Sequence, residues 1–118
     1  MELAKYKGRL VYLATPYSDP DPDVQELRFL RVNKIAADLM CQGVLVFSPI
    51  SHTHPIALAG DLPKGWEFWK EFDRKMLSMC AAVIVYMQPG FDRSTGVVAE
   101  ILAAKKLGIP VEYMAFEG

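Results

Sequence analysis

The stretch Ser94-Thr95-Gly96-Val97-Val98-Ala99-Glu100 points most directly to chemistry. Apolar spacing predicts a helix from about Thr95 to Leu107, with Lys105 and Lys106 in its last turn and Gly108 beyond it. Ser94 is then the N-cap. Its hydroxyl and the free N–H groups of the first turn either serve as an anion site, to which Gly96 admits a ligand closely, or merely cap the helix. Glu100 lies past the third helical position, where a capping carboxylate belongs. Its neighbours at spacings of three and four are Gly96, Val97, Ala103 and Ala104, none of them polar. A carboxylate so placed is partly buried, and either finds hydrogen-bond partners or holds its proton more tightly. Both outcomes are commoner at reactive sites than at structural ones.

Asp73 interrupts an apolar stripe of Trp66, Trp69, Met76 and Leu77. It is either a second reactive carboxylate or the partner of Lys70 in a local ion pair. Tyr12 is either a core aromatic or the group that orients Glu100. His52 and His54, in Ser-His-Thr-His-Pro, have the H-x-H spacing of two imidazole ligands, but the chain has no third histidine. The expectation is no metal, with both histidines in contact with substrate or a neighbouring subunit.

The elements that position these residues follow from the apolar pattern. Leu10 to Ala14 reads as a strand, Val24 to Gln42 as a long amphipathic helix stopped by Gly43, and Val44 to Phe47 as a second strand. Ser48 to Lys64, with three prolines and two histidines, reads as a long functional loop. Gly65 to Cys80 is helical, Ala81 to Tyr86 a strand, Met87 to Arg93 a loop, and Ile109 to Met114 a fourth strand after the helix that carries Glu100. This alternation implies a small Rossmann-like, three-layer α/β fold with a mainly parallel sheet of four to five strands, in one domain over residues 1–118. In such a sheet the ligand edge gathers Thr15 to Asp19, Ser48 to Pro55 and Met87 to Gly96. Tyr17, Ser48, His52 and His54 on that edge, and Trp69 on the helix of Asp73, are candidate substrate contacts beside Ser94 and Gly96.

The 118 residues carry 13 basic and 14 acidic side chains, a formal charge of −1, which offers no footprint for a nucleic acid polymer. Neither a G-x-G-x-x-G after the first strand nor a G-x-x-x-x-G-K-[ST] is present, so neither a dinucleotide nor a P-loop cofactor is expected. Cys41 and Cys80 lack metal or redox spacing and are expected to be buried free thiols in a reducing, cytoplasmic setting. No membrane span or signal peptide fits Met1 to Arg9.

The residues together resemble the nucleoside 2-deoxyribosyltransferase-like family, including its nucleotide N-glycosidase branch. The resemblance rests on Val11-Tyr12-Leu13-Ala14-Thr15-Pro16-Tyr17, the Gly43 to Pro49 strand and proline, Asp73 ahead of Ala82-Val83-Ile84-Val85, and Ser94-x-Gly96-x-x-x-Glu100 before Ile109-Pro110-Val111. It implies that Glu100 is a nucleophile, that Asp73 handles protons near the base, and that Tyr12 positions the glutamate. It also implies a nucleoside or nucleotide substrate, no cofactor, and a homodimer or larger assembly. Nucleoside-using members often carry an aspartate six residues before the nucleophile. Ser94 stands there instead, which resembles the monophosphate branch. Two other functions compete on sequence: a non-catalytic nucleotide or nucleotide-sugar binding module, and a metal-dependent hydrolase using His52 and His54.

Overall fold

Three of the four strands are short apolar runs that pair only with parallel neighbours, so helices must cover both faces of the sheet. The computed structural model describes residues 2–117; Met1 and Gly118, the expected ends of the domain, lie outside the described residues. The strands β1 (Leu10–Ala14), β2 (Leu45–Phe47), β3 (Ala82–Tyr86) and β4 (Val111–Met114) form one parallel sheet in the order β2-β1-β3-β4. Register sets Tyr12 beside Phe47 on one side and Val83 on the other. All five residues of β3 are buried, as expected of a central strand.

Strand alternation sorts the core into two layers. Val11, Leu13, Ala82 and Ile84 pack with Val32, Ala36 and Leu39 of helix α1 (Pro22–Cys41). Tyr12, Ala14, Val83 and Val85 pack on the opposite face with Leu77 of α3 (Trp66–Ser78) and with Val97 and Ala104 of α4 (Thr95–Lys106). This is the three-layer, Rossmann-like arrangement expected, with four strands. The strand order reverses between β1 and β3, so the chain segments leaving them diverge and open a crevice at their carboxyl ends.

The stretch expected as a long loop is instead mostly a helix, α2 (Pro49–Gly60). Proline at its start costs nothing, because the first N–H has no partner in a helix anyway. Pro55 sits inside it and removes one donor, yet burial of Thr53, His54 and Ala57 holds the helix together. Asp61 closes it in the left-handed region, at φ 53°, with its N–H bonded to the Ala57 carbonyl. A second correction concerns the cysteines. Cys80 is buried, with its thiol pushed up to about 11 by that burial, whereas Cys41 at the end of α1 is exposed. Among the described residues no helix is long and apolar enough to cross a membrane.

Candidate active site

The crevice holds a cavity of about 410 Å³, within the range of small-molecule sites. Its walls come from the segment after β1 (Thr15, Tyr17, Ser18), from α3 (Trp66, Trp69, Asp73), and from the start of α4 (Ser94, Gly96, Glu100). Glu100 and Asp73, both placed by helical spacing, therefore open into one space from two helices.

Tyr12 donates its hydroxyl to Glu100 Oε2 across the sheet–helix layer. The tyrosine is fully buried and Glu100 is 5% exposed. Burial pushes the Glu100 carboxyl up to about 8; the bond from Tyr12 opposes that rise and the charge of Asp73 adds to it. Asp73, 6% exposed, is raised to about 7 by burial alone, and its Oδ1 has no hydrogen-bond partner. The alternative of an Asp73–Lys70 pair is not what forms: Lys70 Nζ lies 2.8 Å from Glu67 instead. Tyr12 is held well above its usual 10, first by burial and then by the charges of Glu100 and Asp73, so it stays a donor.

The two carboxyls influence each other and titrate as a pair, and burial makes both hold their protons well above the usual carboxylate range. Tyr12 favours the ionised form of Glu100, whereas an Asp73 oxygen without a donor favours the acid. The arrangement thus sets two carboxyls in one cavity, one with a donor that favours its ionised form and one with an oxygen that lacks any donor.

The rim is polar and basic. Ser94 Oγ accepts from the Val97 N–H at 3.2 Å, so it is the N-cap of α4 and this helix start faces the cavity. A Cβ on Gly96 would meet Trp66 only at an ordinary 3.7 Å, so no protein atom demands glycine there. Lys64 and Arg93 also line the cavity. Beside it lies a smaller hollow of about 200 Å³ between Ser18, Arg28, Arg93 and Ser94. Arg28 donates to the carbonyls of Tyr17, Ser18 and Pro89, tying together the segments that leave β1 and β3. Gly90, at φ 97°, lets that guanidinium in; a Cβ there would stand 2.7 Å from Arg28 Nη2.

Of the expected substrate contacts, Ser94, Gly96, Tyr17 and Trp69 line the cavity; Ser48, His52 and His54 do not. Ser48 is buried and bonded to Ser51. His52 stacks on Phe72, with centroids 5.0 Å apart and planes 3° apart. His54 is buried behind Tyr17. The two imidazoles turn to different partners, and among the described residues no group of three or more His, Cys, Asp or Glu is placed to hold a metal. Sequence reading missed Lys64, Arg93 and Arg28 as basic groups around the site. Arg93, directly before the Ser94 cap, carried a positional clue; Arg28 lies mid-helix and carried none.

The model of a family described as a domain of unknown function, DUF1937, matches residues 9–116. No curated protein matches the sequence. The solved structure of a 2-deoxyribosyltransferase from the psychrotolerant bacterium Bacillus psychrosaccharolyticus superposes with a TM-score of 0.58 at 24% identity, covering 90% of this chain and 72% of that one. That likeness establishes a shared fold.

Proposed function

The chain belongs to the DUF1937 family, and on the site described above we propose that it cleaves or transfers the N-glycosidic bond of a nucleoside or nucleoside 5′-monophosphate. The observation that carries this reading is the pair of buried carboxyls, Glu100 and Asp73, opening into one cavity with Tyr12 bonded to Glu100. The fold shared with a 2-deoxyribosyltransferase supports it.

In the reaction, Glu100 attacks the anomeric carbon of the sugar while the carbon–nitrogen bond breaks towards the base. Asp73 delivers its proton to the departing nitrogen. The glycosyl ester on Glu100 is then attacked by water or by a second base, whose proton Asp73 takes back, and Glu100 leaves as a carboxylate. One difficult displacement becomes two easier ones, as in retaining glycosidases. Tyr12 favours the ionised form of Glu100 and aims it. Trp66 and Trp69 supply flat apolar walls suited to a base.

The 5′-monophosphate is favoured by the basic rim. Ser94 and the first N–H groups of α4 offer an anion site, with Arg93, Lys64 and Arg28 close by. Asp19 shares the smaller hollow, but its carboxylate accepts from the Asp21 N–H at 2.9 Å. The test is a panel of nucleosides and 5′-monophosphates assayed for free base with and without an added acceptor base. Release that is abolished in Glu100→Gln supports the reading. Ligands that raise the melting temperature yet are recovered unchanged make the protein a binding module instead.

A further inference from the structure

Tyr17, His54 and Glu26 form a polar chain that the reaction above does not use. The Tyr17 hydroxyl lies 2.6 Å from His54 Nδ1, and His54 Nε2 lies 2.6 Å from Glu26 Oε2. The chain links three parts of the fold, since Tyr17 follows β1, His54 is in α2 and Glu26 is in α1. His54 is 4% exposed, with the Phe29 ring 4.3 Å from its own, whereas the Glu26 side chain is 51% exposed. Of the three, only Tyr17 lines the cavity.

With the His54 imidazole neutral, the chain fixes what Tyr17 can offer a ligand. A carboxylate only accepts, so Nε2 carries the proton and donates to Glu26. In the neutral imidazole Nδ1 is then a bare acceptor, and the Tyr17 hydroxyl gives its one proton to it. Burial and the Glu26 charge hold the Tyr17 phenol up to about 12, so it stays protonated. The lone pair left on that oxygen is then an acceptor with no donor.

We propose that Tyr17 is a specificity-determining residue that accepts a hydrogen bond from the substrate, held in this acceptor-only state by His54 and Glu26. The site therefore selects a ligand with a donor, a sugar 2′-hydroxyl or an exocyclic amino group, over the counterpart lacking it. This rests on the nucleoside or nucleotide reading of the same cavity. A site whose polar group is left unpaired by the wrong ligand discriminates strongly, whereas an apolar wall does not.

The experiment measures binding by calorimetry in Glu100→Gln, where turnover is blocked. The probes are the 5′-monophosphates of adenosine, guanosine and cytidine, each compared with its 2′-deoxy counterpart and with its counterpart lacking the exocyclic amino group. The expected result is a preference of about tenfold for the donor-bearing member in one arm, the size of one good hydrogen bond. Adding Tyr17→Phe abolishes that preference. Adding Glu26→Gln reduces it, although Glu26 lies outside the cavity, because the new amide can donate to Nε2 and shift the imidazole proton to Nδ1. A purely structural cluster would weaken both members of each pair equally. Equal binding within every pair, or a preference that survives Tyr17→Phe or is untouched by Glu26→Gln, overturns the proposal and leaves the glycosidic reading standing. Failure of every probe to bind overturns both.

Discussion

Asp73→Asn should make the protein more stable at alkaline pH while disabling it. Asp73 is 6% exposed and has an unpartnered oxygen, and burial raises its carboxyl from 3.8 to about 7. At roughly 1.4 kcal/mol per pH unit, ionising it in the fold costs at most about 4 kcal/mol more than in the unfolded chain. The sign follows from the direction of the shift. Below about pH 4 the group is protonated in both states and its contribution to stability is intact. Between about pH 4 and 7 the unfolded chain loses the proton first, and stability falls; above about pH 7 the loss is complete. Glu100, raised from 4.5 to about 8, extends the decline upward. Asparagine keeps the shape and cannot ionise. Urea unfolding from pH 4 to 9 should therefore show wild type losing stability as pH rises, and Asp73→Asn losing less. The variant should gain about 2–4 kcal/mol at pH 8 and almost nothing at pH 4. The same variant should release base about 10²–10⁴-fold more slowly, the usual worth of a positioned acid. A wild-type profile that is flat or rising over this range, with Asp73→Asn parallel to it, would refute the reasoning.

Three further outcomes follow from the same geometry. Tyr12→Phe removes the donor that lowers the Glu100 pKa, so the acid limb of the kcat profile should move up by about a pH unit, with kcat falling more than substrate affinity; an unmoved limb would remove Tyr12 from the site. Ser94→Ala should weaken 5′-monophosphates by a few-fold and leave nucleosides unchanged, because it removes the hydroxyl at the anion site on the α4 N-terminus; parallel inhibition constants for both ligand classes would count against the phosphate reading. Sedimentation should show a dimer or larger species, since Ile56, Leu58, Phe68 and Phe72 of α2 and α3 are exposed apolar side chains; a monomer at high micromolar concentration would count against it.

The parallel sheet and three of its helices were legible because each buries an apolar run or stripe. Helix α2 was not, for a physical reason. Its buried positions Pro49, Thr53, His54 and Ala57 have helical spacing, but two of the four are polar, so hydrophobic periodicity is silent there. What stabilises it is tertiary, including the His54–Glu26 contact onto α1, and no local rule anticipates that. The same hidden helix carries Ser48, at its N-cap, and His52 and His54 away from the cavity wall, where an irregular loop was expected to present them. Trp69, read as a candidate substrate contact, is 8% exposed and lines the cavity, its Nε1 donating to the Pro63 carbonyl at 2.7 Å. Glu100 and Asp73 were legible because a carboxylate among apolar neighbours at helical spacing is costly unless something uses it. The bond between Tyr12 and Glu100 joins residues far apart in the chain; the residues alone left it as one of two alternatives, and the resemblance implied it.

The central claim is that Glu100 carries the sugar, and a trapped intermediate tests it most directly. The protein is incubated with a 2′-fluorinated arabinosyl nucleoside 5′-monophosphate whose glycosyl ester turns over slowly, then digested and examined by mass spectrometry. The account predicts release of one base for each site and a sugar-phosphate adduct located on Glu100, absent from Glu100→Gln. An adduct on another residue, or base release by Glu100→Gln at more than about a tenth of the wild-type rate, would contradict it, because losing covalent catalysis should remove several kcal/mol of barrier lowering.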